Sequence, residues 1–199
     1  MKNIQAAQWC RIFLERQVKP GDLCIDATAG NGFDTEFLCG LVGEKGRVLA
    51  FDIQEQALET TGERLTRAGY RERARLILRG HQHMAEYAEP GTVSAVVFNF
   101  GYLPGGDHRI ATGARTSLRA LEAGLELLKT GGLMCLCVYS GGDTGYEEKK
   151  ALLDFLKALD QRDFLVVCCE YFNREKDAPL PVLAVKLRQY PCTPASTLL

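Results

Sequence analysis

Short apolar runs alternate with helical stretches along the whole of this chain, and that alternation leaves few folds open. Asn3 to Gln17 has helical spacing, with Ile4, Ala7, Ile12 and Leu14 on one face. Pro20-Gly21-Asp22 turns the chain into a first strand, Leu23 to Asp26. A helix spans Asn31 to Val42, and Gly43-Glu44-Lys45-Gly46 turns into a second strand, Arg47 to Asp52. Gln56 to Ala68 is helical and stops at Gly69. Ala74 to Leu78 and Val93 to Asn99 read as strands three and four. After a helix from Ala114 to Leu128, Gly131-Gly132 turns into a fifth strand, Leu133 to Tyr139. A helix from Glu147 to Leu159 precedes two closing strands, Phe164 to Tyr171 and Val182 to Leu187. No clear helix separates that last pair, so it is expected to be antiparallel. The series predicts an α/β fold: a mostly parallel seven-stranded sheet, helices on both faces and an antiparallel C-terminal strand pair.

No repeat, low-complexity tract or linker divides the 199 residues, so one domain is expected over residues 1–199. A net charge of −1 gives no global basic field, which argues against tight non-specific nucleic-acid binding but leaves room for a local patch. No apolar stretch reaches the roughly 18 residues that span a membrane. The N-terminal stretch reads as an amphipathic helix rather than a secretion signal. Cys135, Cys137, Cys168 and Cys169 lie in apolar strand-like runs, and Cys135-Leu136-Cys137 has the wrong spacing for a CxxC redox or zinc pair. Reduced, structural cysteines, no metal and a cytoplasmic setting are expected.

Open sheets of this kind bind ligands at the carboxyl ends of their strands. That rule gathers Asp26, Asp52, Asn99 and Tyr139 into one place. Asp26-Ala27-Thr28-Ala29-Gly30-Asn31-Gly32 is a strand end, a tight glycine turn and a helix start in succession. Glycine there lets the backbone take positive φ and approach a ligand closely. Asp52, about 20 residues beyond Gly32, is placed to accept from both ribose hydroxyls of an adenosine, with Gln54 just after it. Nicotinamide enzymes use the same device. However, the dinucleotide fingerprint requires a third glycine where this chain has Thr35. A carboxylate at Asp26 would also repel a pyrophosphate while suiting an ammonium or hydroxyl group. S-adenosyl-L-methionine, with adenosine at one end and an amino acid at the other, fits these features better. The expected cofactor residues are Asp26, Thr28, Gly30, Asn31, Gly32, Asp34, Thr35, Asp52 and Gln54, with Asn99 nearby. His81 and Gln82 follow strand three and are expected to flank the adenine.

Asn99-Phe100-Gly101-Tyr102-Leu103-Pro104-Gly105-Gly106-Asp107 follows strand four. It resembles the (N/D)-P-P-Y motif of N-methyltransferases, with Phe-Gly in place of Pro-Pro. In that motif oxygens hold an amine in line with the methyl group and the aromatic ring stacks on the substrate base. Alignment is most of what such a transfer requires. The nucleophile must be neutral, and neutralising an alkylamine of pKa ~10 near pH 7 costs roughly 4 kcal/mol. Asp107 would raise the pKa of a cationic amine, so its expected role is to orient the amine and pass its proton to water. Tyr102, Asn99 and Tyr139 complete the candidate catalytic set.

These segments, with Phe51-Asp52-Ile53-Gln54 and Tyr139-Ser140-Gly141-Gly142 together with Glu147-Glu148, resemble the rRNA-methylase family of small bacterial class I methyltransferases. That family includes tRNA 5-(aminomethyl)uridine wobble-base methyltransferases. The resemblance implies a Rossmann-like fold, S-adenosyl-L-methionine as cofactor and a homodimer. It also implies methylation of the exocyclic amine of 5-aminomethyl-(2-thio)uridine in a tRNA anticodon stem-loop. This chain departs from the family at Gly142 and at Phe33, where the family tends to carry histidine.

A tRNA partner needs phosphate contacts. Arg109 and Arg115 follow the reacting loop and are the expected RNA-binding residues. The arginines from Arg64 to Arg79 are interleaved with Glu63 and Glu72 and read as a solvated face. Methylation of an rRNA base or of a small-molecule amine, and cofactor binding without turnover, are the alternative readings.

Overall fold

The computed structural model describes residues 5–101, 112–139, 145–173 and 178–188. Its elements run α1 (Ala6–Gln17), β1 (Leu23–Asp26), α2 (Phe33–Val42), β2 (Arg47–Asp52), α3 (Glu55–Ala68), β3 (Ala74–Leu78), β4 (Val93–Phe100), α4 (Ala114–Leu127), β5 (Leu128–Val138), α5 (Gly145–Lys157), β6 (Phe164–Cys168) and β7 (Leu180–Lys186). They build a seven-stranded sheet in the order β3-β2-β1-β4-β5-β7-β6. β1 to β5 are parallel, and β7 runs antiparallel to both β5 and β6.

A parallel sheet covered on both faces needs strands that are apolar on both sides. β4 meets that demand with Val93-Ser94-Ala95-Val96-Val97-Phe98, all buried. Alternate side chains go to opposite layers. Ile25, Leu49, Phe51, Val96, Phe98 and Leu136 join Leu121 and Leu125 of α4 and Leu152 and Leu156 of α5. Cys24, Val48, Ala95, Val97, Cys135 and Cys137 face Cys10 and Leu14 of α1 and Leu38 and Val42 of α2.

The strand order reverses between β1 and β4. Both neighbours of β1 run parallel to it, so their carboxyl ends open a crevice on one edge of the sheet. β1, β2 and β3 have the boundaries expected from the sequence. β5 differs: it begins at Leu128, because a register shift lets Val93 pair with Leu128 and Ala95 with Leu133. Gly131, at φ +77°, sits inside that irregularity. α2 starts at Phe33 rather than Asn31, since Gly30 and Gly32 hold left-handed φ values of 52° and 78°. His81–Glu86, between β3 and β4, forms a 3-10 helix. β6 ends at Cys168, which is exposed rather than packed in the core.

Candidate active site

The glycine loop between β1 and α2 is held by side chains on three sides. Asp26 is fully buried; its Oδ1 accepts the Thr28 N–H at 3.2 Å and its Oδ2 accepts the Thr35 hydroxyl at 2.6 Å. From α3, the Thr61 hydroxyl donates to the Gly30 carbonyl at 3.1 Å and Arg64 Nε donates to the Asn31 carbonyl at 2.7 Å. A Cβ on Gly32 would stand 2.8 Å from Thr61 Oγ1, so this glycine is fixed by helix approach as well as by φ. Phe33 lies beneath the Arg64 guanidinium, 3.7 Å from ring centroid to Cζ.

Asp52 closes the third side. Its Oδ2 accepts the Gly30 N–H and its Oδ1 accepts the Gln54 N–H, both at 2.9 Å. Each oxygen keeps an acceptor direction, which is what two ribose hydroxyls need. His81 is 8% exposed, edge-on to Phe98 and Phe100 at 6.1 and 6.2 Å. Burial lowers its pKa to about 4, only partly opposed by its hydrogen bond to Ala27. A neutral His81 therefore braces the loop from beneath, while Gln82 is the half-buried member of the pair.

Asn99 faces this loop across the β1–β4 crevice. Its N–H donates to Thr28 Oγ1 at 2.8 Å, and its Nδ2 donates to Asp34 Oδ2 at 2.9 Å. Arg11 of α1 reaches the other oxygen: Nε and a terminal nitrogen lie 3.1 and 2.8 Å from Asp34 Oδ1. Tyr139, just past β5, has its pKa pushed up to about 12, mainly by burial. Its phenol keeps its proton at neutral pH.

Residues 102–111 lie outside the described residues, and with them Tyr102, Asp107 and Arg109; so do residues 140–144, including Gly142. Gly101 N–H donates to Thr112 Oγ1 and Thr112 N–H donates to the Gly101 carbonyl, both at 2.9 Å. Buried Glu148 of α5 accepts the Thr112 hydroxyl at 2.8 Å and the Ser117 hydroxyl at 2.6 Å. Arg115 is exposed on the first turn of α4. Arg64 pairs with Glu36, Arg67 with Glu63 and Arg79 with Glu86, so these arginines serve the chain's own carboxylates.

The structure thus brings Asp26, Thr28, Gly30, Asn31, Gly32, Asp34, Thr35, Asp52, Gln54 and Asn99 to one crevice. Asp26 is the refinement: it has no accessible surface and works through Thr28 and Thr35. Sequence reasoning did not identify Arg11, Thr61, Arg64 or Glu148 as parts of the site. The Glu147-Glu148 pair on a helix start was the one visible signal among them.

The carboxylates also define the guest. Burial raises the Asp26 pKa from 3.8 to about 7, and the charges of Asp34 and Asp52 push it the same way. A cation relieves that crowding, whereas a pyrophosphate would worsen it. A sulfonium with an ammonium-bearing tail at one end and ribose hydroxyls at the other fits these donors and acceptors. Sheet order, switch-point loop and carboxylate lining together define a Rossmann-like class I methyltransferase of the kind that uses S-adenosyl-L-methionine. Among the described residues there is no His/Cys/Asp/Glu cluster suited to a metal and no helix long and apolar enough to cross a membrane.

Within that class, the chain belongs to the family described as "Putative rRNA methylase", which matches residues 48–185. A solved "putative rRNA-methylase" from Clostridium thermocellum is 44% identical, with a TM-score of 0.90 over 94% of this chain and 100% of that one. A "putative methyltransferase" from Streptococcus mutans, solved in complex with SAH, is 37% identical, with a TM-score of 0.83 over 94% and 99% of the two chains. A curated Arabidopsis thaliana protein, the chloroplastic tRNA (mnm(5)s(2)U34)-methyltransferase, is 38% identical over 84% of this chain. The match spans 64% of that plant protein.

Proposed function

We propose that this protein is an S-adenosyl-L-methionine-dependent N-methyltransferase that converts 5-aminomethyl-(2-thio)uridine at the tRNA wobble position to its 5-methylaminomethyl form. The observation that carries the reading is the setting of Asn99. It lies one residue before the end of β4, across the crevice from the glycine loop, with its backbone on Thr28 and its amide on Asp34. An amide at that point presents an acceptor to an amine N–H and leaves the nitrogen lone pair for transfer. The name of the Arabidopsis relative supports the same nucleoside.

When bound, the cofactor supplies an electrophilic methyl group on a good leaving group. Asp52 and Gln54 would hold its ribose, and Asp34 with the Asp26-supported loop its amino-acid end. Asn99 orients the amine, while Tyr102 and Tyr139 enclose the base. Asp107 takes no strong-base role; it orients the amine and passes its proton to water. The anticodon stem-loop is held by Arg109 and Arg115, and the protein acts in the cytoplasm as a homodimer.

Nucleoside mass spectrometry of tRNA from a strain lacking the protein tests this directly. The expected result is accumulated 5-aminomethyl-2-thiouridine and loss of its methylated form. Unchanged nucleosides, with purified protein methylating free amines only, would refute the RNA substrate.

A further inference from the structure

The geometry points to Arg11 as a positioning residue for the methyl acceptor, one that acts through Asp34 to set which edge of the Asn99 amide faces the amine. This rests on the N-methyltransferase reading above.

An asparagine amide has two edges of opposite character, an oxygen that accepts and an NH2 that donates. Only the oxygen edge serves an amine whose lone pair must stay free; the NH2 edge would compete for that lone pair. A half-turn about the last side-chain bond exchanges the two edges. In this structure the choice is made by a chain of contacts beginning on α1. Arg11 donates twice to Asp34 Oδ1, at 2.8 and 3.1 Å, and once to the Phe33 carbonyl at 3.1 Å. Its guanidinium also lies over the Phe37 ring, 4.9 Å from the centroid. Asp34 is thereby held with Oδ2 toward Asn99, 2.9 Å from Nδ2. A carboxylate engaged by a guanidinium accepts hydrogen bonds and donates none, so only the NH2 edge can face it. The Asn99 backbone is fixed independently by Thr28. The amide oxygen is left on the opposite edge.

The same observations exclude a looser role for Arg11. Its side chain is only 32% exposed and that of Asp34 13%, so this is not a solvated surface pair. Three donated bonds and a ring contact fix the guanidinium plane, a constraint that a lysine ammonium cannot reproduce.

The test is a double-mutant cycle on the full chain. Arg11→Met keeps an unbranched side chain of similar reach and removes the guanidinium; Asn99→Ala removes the amide. Arg11→Met is expected to lower kcat roughly tenfold or more, the scale of one charge-assisted hydrogen bond. Because Asp34 also faces the cofactor's amino-acid end, the dissociation constant for S-adenosylhomocysteine should rise, but by clearly less than kcat falls. In the Asn99→Ala background the same change should alter kcat less than about twofold, since nothing remains to be oriented. Equal losses in both backgrounds would overturn the proposal, because Arg11 would then act independently of Asn99. Loss of S-adenosylhomocysteine affinity with kcat intact would also overturn it and make Arg11 a cofactor ligand.

A readout without turnover separates this inference from the substrate reading. The side-chain amide protons of Asn99, assigned by their absence in Asn99→Ala, should exchange slowly in the wild-type protein and quickly in Arg11→Met. If wild-type protein fails to methylate the modified RNA, the substrate reading falls while the amide signal still decides the role of Arg11. Equal exchange in both proteins would overturn it.

Discussion

Replacing Asp26 by Asn should change the pH dependence of stability more than stability itself. Asp26 is wholly buried and its pKa stands at about 7 against an ordinary 3.8. The folded protein therefore holds a proton that the unfolded chain releases between these values. Stability from this group is complete below about pH 4 and is lost as pH rises through 7. A rise of that size corresponds to about 4 kcal/mol at alkaline pH. Asn cannot titrate, and its amide can still accept from the Thr28 N–H while its NH2 faces the Thr35 hydroxyl. A mismatch there costs about 1 kcal/mol. Asp26→Asn should therefore be more stable than wild type by about 2–3 kcal/mol at pH 8 and equal or weaker at pH 4.5. His81, whose lowered pKa makes the acid limb fall between about 6.5 and 4, is common to both proteins and cancels in the difference. Urea unfolding at half-unit steps from pH 4.5 to 8.5, without cofactor, measures this. Parallel curves for the two proteins would show that Asp26 holds no extra proton, and the account of the crowded carboxylates would be wrong.

Gly32→Ala should cost about 2–4 kcal/mol, from positive φ and from the 2.8 Å approach to Thr61, and should abolish S-adenosylhomocysteine binding by calorimetry in protein that remains folded. Glu148→Ala strands the hydroxyls of Thr112 and Ser117; the melting temperature should fall by several degrees and kcat/KM by at least tenfold, with cofactor affinity nearly unchanged and Glu148→Gln restoring part of both. Lys186 is 1% exposed and its ammonium donates to the carbonyls of Leu125 and Glu126 at the end of α4, at 2.9 and 3.0 Å. Lys186→Met should destabilise by about 1–3 kcal/mol in chemical denaturation, with cofactor binding unaltered.

The residues that sequence reading could locate are those whose role is local. β1, β2 and β3 are short apolar runs bounded by turns or charges, and such runs reveal their own limits. The strand-end rule then places Asp26, Asp52 and Asn99 together without any knowledge of packing. The start of β5 is not legible in the sequence because Leu128 pairs with Val93 through an irregular register, a property of two strands rather than one. Arg11, Thr61, Arg64 and Glu148 escaped for a related reason. Each sits on a helix at a position that the helical pattern assigns to a polar face, and its partner is distant in sequence. Arg11 meets Asp34, and Thr112 meets Glu148, only after the helices have docked. His81 reads from the sequence as a neighbour of the adenine; its burial depends on Phe98 and Phe100, which arrive from another strand.

The reciprocal hydrogen bonds between Gly101 and Thr112 have a consequence for how such enzymes diversify. They form a staple across the base of residues 102–111, and Glu148 rivets that staple to α5. A sequence inserted between the two ends starts and finishes at fixed points whatever its composition. Closing a longer segment between those ends then costs only about 0.6 kcal/mol more per doubling of its length. A segment of another length or composition can therefore be exchanged between Gly101 and Thr112 while the crevice between β1 and β4 stays as it is. A transplanted segment from a relative with another nucleophile should fold on this base, and the staple is the seam along which to cut.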